Sequence, residues 1–273
     1  MAIEKVLVTG VYGLIAGDVY SYLQSKPEQY EAYGLARRRY PSDRVEEGRN
    51  IHIPEDRFFL ANLTDLEALE QAMQGMDVVV QMAADPNADG DWESILASNV
   101  IGARNVFEAA HRAGVKRLIF ASSIMVSWGY LEDEEFRVVS EGRYDEIAPE
   151  EMPRVTHESA VRPTSLYPAS KVWGEAVGRY YSDIHGMSVI CLRIGWVNPE
   201  DRPHSHGWAR GGWCSRRDMV QMAERSIQAP EEVRFDVFYV LSNNKYNWAD
   251  IDRARQVIGY APEDSAEERL GIE

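Results

Sequence analysis

The 273-residue chain is poor in cysteine and lysine and has no long apolar run. Its two cysteines, Cys191 and Cys214, lack a CxxC spacing and cannot build a disulfide framework. Cys191 lies inside an apolar run, as expected of a small core residue. Lysine supplies only 5 of the 29 basic residues, and acids outnumber bases 44 to 29. A net charge of -15 and a pI near 4.9 repel a phosphate backbone, so nucleic acid is not an expected partner. Such an acidic, lysine-poor surface suits salty surroundings or reflects a lineage habit. No segment approaches the roughly 18–20 uncharged apolar residues of a membrane helix. MAIEKVLVTG enters a strand without a basic leader, so no membrane is expected and the expected compartment is the cytoplasm.

What is present alternates. Short apolar runs at Lys5–Thr9, Ala32–Ala36, Phe58–Leu60, Asp77–Gln81, Arg117–Ala121, Ser188–Arg193 and Arg234–Leu241 bracket helical patterns at Asp65–Met73, Trp92–Ala113 and Ser165–Ile184. VVVQMAA and RLIFASS are continuous rather than alternating hydrophobics, as in parallel strands buried on both faces. The expected fold is α/β: a doubly wound parallel Rossmann sheet over residues 1–195 with a small substrate-binding portion, 196–273, interleaved with it. Leu131–Arg162 reads as a long acidic loop with at most one short helix, solvated over Leu131–Glu151. Pro199–Asp218 reads as a loop rich in Arg, His, Gly and Trp.

The first strand leads into Thr9-Gly10-Val11-Tyr12-Gly13-Leu14-Ile15-Ala16-Gly17 and then an amphipathic helix. Gly10 allows the tight turn, Gly13 lets backbone approach a pyrophosphate, and the helix N-terminus faces the anion. Gly10, Tyr12, Gly13, Leu14 and Ile15 are therefore expected at a dinucleotide. The second strand ends in Arg37-Arg38-Arg39 with no acid. Arginine there pairs a 2′-phosphate, which favours NADP, with NAD the alternative.

Tyr167 and Lys171 share one helix face at a spacing of four. A nearby ammonium lowers a phenol's pKa, making it a usable base. Ser123 ends the strand RLIFASS, where strand carboxyl ends converge on ligands.

With TGVYGLIA, VVVQMAAD, SNVIGARNVFEAA, RLIFASS, RPTSLYPASK and LRIGWVNP in this order, the sequence resembles the extended, epimerase/dehydratase-like branch of the short-chain dehydrogenase/reductase superfamily. The resemblance implies Ser123, Tyr167 and Lys171 as catalytic triad and Asn99 as the residue supporting proton relay by helix distortion and water. It implies Asn62 and Leu63 at the adenine edge and small Ala83 and Ala84, beside Met82, under the dinucleotide. Arg193 and Ile194 would belong to the nicotinamide wall. It also implies a homodimer through the helices around Ile101–Arg112 and the Tyr–Lys helix, where Trp173 and Tyr180–Tyr181 would pack.

The tail VLSNNKYNWADIDRARQVIGYAPEDSAEE resembles uronate dehydrogenases, which oxidise the anomeric carbon of an aldose acid. Ile124, Met125 and Trp196 depart from their polar pattern and would leave sugar hydroxyls unpaired, at about 1–3 kcal/mol each. Arg210, in the Arg/His-rich loop, is the expected anion contact. His204 and His206 lie too close together, with no third ligand, for zinc, and no metal is expected. The expected activity is an NAD(P)-dependent oxidoreductase moving hydride to or from a sugar-like, anionic or neutral substrate. A nucleotide-sugar epimerase/dehydratase and a non-catalytic dinucleotide-sensing regulator are the alternatives.

Overall fold

The computed structural model describes residues 3–272 apart from Glu47, Asn50 and His206. The expectation placed on His206 lies outside the described residues. Strands β1 (Glu4–Thr9), β2 (Tyr30–Ala36), β3 (Phe58–Leu60), β4 (Val78–Gln81), β5 (Arg117–Ser123), β6 (Ser188–Ile194) and β7 (Phe235–Val240) form one parallel seven-stranded sheet in the order β3-β2-β1-β4-β5-β6-β7. The strand order reverses between β1 and β4, which opens a crevice at their carboxyl ends.

The helices are α1 (Leu14–Gln24), α2 (Leu66–Met73), α3 (Trp92–Ile95), α4 (Gly102–Arg112), α5 (Arg137–Ser140), α6 (Leu166–His185), α7 (Trp208–Gly211), α8 (Arg216–Ile227), α9 (Asp252–Ile258) and α10 (Ala266–Leu270). Side chains alternate across the pleat, so each strand feeds two cores. Val6, Val8, Val80, Ile119, Ile190 and Leu192 pack against α1, α8 and α9. Leu7, Val79, Leu118, Phe120 and Cys191 pack against α2, α4 and α6. Helix α6 lies close to the sheet because a Cβ at Gly174 would overlap the Phe120 ring.

Three expectations change. The Trp92–Ala113 pattern is one helical stretch interrupted by a π-helical turn at Leu96–Ile101 between α3 and α4. Arg216–Asp218 opens α8 rather than closing a loop, because the Ser215 hydroxyl accepts from the Asp218 amide and caps the helix. The acidic 131–162 stretch is no free flap: its acids face water while Leu131, Phe136, Val139, Tyr144 and Met152 are buried. They form a third cluster with Tyr239, Leu241, Tyr246 and Trp248. Residues 196–273 thus contribute β7, α8 and α9 to the sheet's layers, and Tyr246, Trp248, Ala249 and Ile251 to this cluster.

One buried cation joins distant parts of the chain. Arg117, at the start of β5, donates Nη1 to the carbonyls of Ile227 (2.9 Å) and Ala229 (2.6 Å), Nη2 to Pro230 (2.9 Å) and Nε to Ser188 Oγ (2.9 Å). These carbonyls terminate α8, and a planar fork is the shape that reaches several of them at once. Arg117→Ala should destabilise the fold by about 3 kcal/mol through orphaned carbonyls, and Lys should not restore it. Thermal melts check this: a drop of roughly 6–12 °C is expected, and a melt equal to that of the unsubstituted protein contradicts it.

Candidate active site

The crevice begins at the glycine loop. Gly10 has φ +69°, and a Cβ there would sit 2.9 Å from the Ala83 backbone. The Gly13 amide donates to Gly10 O (2.7 Å), and Gly13 precedes α1 without any side-chain cap or first-turn acid. The exposed amide end of α1 therefore suits an anion. Thr9 Oγ1 donates to Gln81 Oε1 (2.5 Å) and accepts from the Met82 and Ala83 amides (3.1 Å each). Gln81 Nε2 returns to Ala83 O (2.8 Å), which locks the ends of β1 and β4 together. Tyr12, Leu14, Ile15, Met82, Ala83 and Ala84 are half-buried around this floor. A narrow backbone cradle of this kind fits a dinucleotide's pyrophosphate.

The adenine side is less as expected. Asn62 turns its Oδ1 to Thr64, accepting from its amide (3.1 Å) and hydroxyl (3.2 Å). Leu63 is buried against Gly102, and its carbonyl accepts from Asn105 Nδ2 (3.0 Å), so its side chain belongs to the core. At the end of β2, Arg37 is exposed, Arg38 lies over the Tyr40 ring (4.9 Å) and Arg39 over Phe58 (4.7 Å).

At the other end, the carboxyl ends of β5 and β6 and the first turns of α6 converge. The Ser123 hydroxyl accepts from the Met125 amide (3.2 Å) and faces the Tyr167 phenol. Lys171 is buried beneath; its Nζ donates to Ala121 O (2.8 Å) and lies 5.6 Å from the Tyr167 ring centroid. Burial brings the lysine down from 10.5 to about 8. Burial also raises the Tyr167 pKa, the Ser123 hydroxyl and the Arg44 cation pull it back, and Asp85 pushes it up. The bare site thus favours a neutral phenol, against the lowering expected from lysine alone, because desolvation outweighs attraction.

Asn99 lies in the π-helical turn. Its Oδ1 accepts from the Asp85 amide (2.7 Å), while Nδ2 donates to Asp85 O and Ser170 Oγ (3.0 Å each). It clamps the loop after β4 to α6, and Ser170 Oγ continues to Tyr167 O (2.6 Å).

Three expectations are corrected. Arg193 lies within β6, buried, pairing with both carboxylate oxygens of Glu175 (3.0 and 2.9 Å) and donating to Tyr239 Oη (3.0 Å), so it faces α6 and not a nicotinamide. Ile194 points to the opposite face, in the cluster against which Tyr12, Ile15 and Met82 of the crevice floor pack, which leaves its expected place unaltered. Ile124 is buried in the third cluster rather than lining an open wall, leaving Met125 and Trp196 half-exposed. Arg210 presents no free guanidinium: it is buried between Tyr144 and Tyr246 and paired with Glu267 (2.9 Å).

Trp196 packs edge-on against His204 (4.5 Å) and Trp208 (6.0 Å), and Trp208 against Trp128 (4.5 Å). Among the described residues no group of three or more His, Cys, Asp or Glu side chains could hold a metal. Sequence reading missed Glu175, whose Oε1 also accepts from Ser122 Oγ (2.6 Å). Its spacing of four from Lys171 was the available signal. Asp85, Thr9 and Gln81 were missed too, because single polar residues beside a strand end carry no pattern.

The model of the NAD dependent epimerase/dehydratase family matches residues 6–206. The chain belongs to this family. An NAD-dependent glucose-6-phosphate dehydrogenase of Haloferax volcanii is 29% identical over 265 residues, covering 97% of this chain and 95% of that protein. An L-arabinose 1-dehydrogenase (NAD(P)(+)) of the same organism is 32% identical over 215 residues, 76% of this chain and 82% of that protein. The crystal structure of uronate dehydrogenase from Agrobacterium tumefaciens superposes with a TM-score of 0.76 at 25% identity, covering 98% and 87% of the two chains. The protein is an oxidoreductase of the extended short-chain type, and its cofactor is a nicotinamide adenine dinucleotide. No helix among the described residues is long and apolar enough to cross a membrane.

Burial of Lys171 has a measurable consequence. Between about pH 8 and 10.5 the unfolded chain holds a proton that the folded lysine has lost, so stability rises with pH across that window. Below pH 8 the full cost of burying the ammonium is present. Lys171→Met should therefore melt a few degrees higher than the unsubstituted protein at pH 7, the gap closing as pH rises toward 10. A gap that is constant with pH contradicts the buried, depressed lysine.

Proposed function

We propose that the protein is a cytoplasmic sugar dehydrogenase that oxidises the hydroxyl of an aldose or aldose derivative, with Ser123, Tyr167 and Lys171 as its triad. The observation that carries this reading is the convergence of the Tyr167 phenol, the Ser123 hydroxyl and the buried Lys171 at the carboxyl ends of β5 and β6. The glycine loop, Met82, Ala83 and Ala84 would hold the dinucleotide, which supplies the hydride acceptor when bound. Tyr167 Oη takes the proton from the substrate hydroxyl, and Ser123 Oγ hydrogen-bonds the same oxygen. Lys171 Nζ, positively charged below its depressed pKa, favours the phenolate over the neutral phenol. Asn99 acts as a positioning residue, holding the loop after β4 against α6 through Asp85 and Ser170.

The chemistry follows from the phenol's raised pKa. Oxidation needs the phenolate, so its rate should climb as pH rises above neutral. Absorbance at 340 nm with NAD and a panel of aldoses, uronates and sugar phosphates should show net reduced cofactor. Tyr167→Phe should lower the rate at least about 100-fold. Conversion of a nucleotide sugar with no net reduced cofactor would instead establish the epimerase reading, and an unchanged cellular role in Tyr167→Phe would establish the regulator.

We further propose that NADP is accepted beside NAD. Arg37 and Arg38 support this, since no acid stands at the end of β2 to repel a 2′-phosphate and Arg37 is exposed. Replacing both by Ser should weaken NADP binding at least about tenfold and leave NAD binding within twofold. Equal losses for both cofactors would place the arginines outside any 2′-phosphate site.

A homodimer through α4 and α6 completes the proposal. Ile101, in the π-helical turn that leads into α4, and Trp173, Tyr180 and Ile184 on α6 are exposed, an apolar set that water does not favour.

A further inference from the structure

An oxidoreductase of this net charge repels anionic ligands over most of its surface, so a cation left free beside the reacting groups is informative. In the Arg/His-rich loop and the start of α8, three arginines are taken, among them Arg210, the expected anion contact. Arg210 pairs with Glu267, Arg216 with Asp18 and Glu46, and Arg217 with Glu263 and Asp264. Arg202 is exposed, its backbone tied to Asn198.

Arg44 is different. It lies between β2 and β3 on a stretch of chain that crosses the crevice. The Ser42 amide donates to Tyr12 O in the glycine loop (3.0 Å), and Val45 N to Ser42 O (3.0 Å). Beyond it, Glu46 and Arg49 are fastened to Arg216 and Asp18. Its neighbours are thereby tied to the glycine loop and α1, while Arg44 itself reaches the loop after β4, where Nη2 makes one long bond to Pro86 O (3.4 Å), next to Asp85. No described carboxylate lies within ion-pair distance of it, and the residue is exposed. Its charge reaches the Tyr167 phenol, on which it and Asp85 act with opposite sign. The segment thus reaches from the cradle for the cofactor to the loop after β4, which Asn99 clamps against α6 beside Tyr167.

We propose that Arg44 binds the anionic group of a ligand at the mouth of the active site. The group is a phosphate or carboxylate, which a guanidinium fork can take bidentately. It comes either from the sugar substrate or from the pyrophosphate of the cofactor. The inference rests on the dehydrogenase reading for the nature of these ligands, but its test reads binding rather than turnover.

The probes are glucose 6-phosphate, galacturonate, glucose and NAD, titrated at low salt into the unsubstituted protein, Arg44→Gln and Arg202→Gln, with tryptophan fluorescence as readout. Trp196 and Trp208 stand half-exposed at this end of the sheet and supply the signal. If the substrate is the source, Arg44→Gln weakens an anionic sugar at least about tenfold and leaves NAD unchanged. If the cofactor is the source, the same loss falls on NAD. Anion affinities in Arg44→Gln equal to those of the unsubstituted protein overturn the proposal, as does a loss confined to Arg202→Gln. So does an unsubstituted protein that binds no anionic ligand. A protein that loses anion affinity in Arg44→Gln yet never reduces cofactor would refute the dehydrogenase reading and leave this one standing.

Discussion

The structure turns on a lysine ammonium held out of water. Lys171 donates to Ala121 O, and burial alone brings its pKa to about 8. Everything around it serves to keep it there. Gly174 lets α6 approach the Phe120 ring, and Glu175, one turn on, is fixed by Ser122 and Arg193 at the ends of β5 and β6. Arg193 in turn binds Tyr239 on β7, whose hydroxyl shares a hydrogen bond with Ser127 (2.5 Å). A buried ion pair of this type adds little net stability, but removing one partner strands the other charge. Its effect is geometric: three strands, one helix and the turn after Ser123 meet at fixed relative positions. The phenol and the hydroxyl inherit their separation from that arrangement.

Much of this was legible in the chain. Each strand of the sheet coincides with an apolar run, because parallel strands buried on both faces leave no room for polar alternation. Tyr167, Lys171, Ser123 and the glycine loop were visible since each belongs to a spacing or to a strand end. Side-chain partners were not legible. Whether Arg210 faces a ligand or Glu267 depends on residues 57 positions apart, and nothing in a local pattern encodes it. The same limit hid the Arg193–Glu175 pair and the burial of Ile124. The acidic stretch after Leu131 misled for a different reason: its charges dominate the composition, while the few apolar residues between them decide the packing.

The substrate end has an aromatic character that the sheet does not require. Trp128, Trp196 and Trp208 meet edge to face beyond β5 and β6, and Trp248 closes the row from within. Edge-to-face packing of this kind holds loops in place without a regular backbone ladder. It gives the irregular segments after β5 and β6 a common wall, on which the shape of the ligand space depends.

The Arg117 fork has a consequence for how the chain comes into being. Its acceptor carbonyl at Ile227 lies 110 residues downstream. A nascent chain emerging from a ribosome carries β5 long before the end of α8 exists. Until then the start of that central strand holds an unsatisfied cation that water must solvate, which opposes closure of the layer above it. Synthesis order therefore builds in a checkpoint: the core can seal around β5 only once most of the polypeptide has been made.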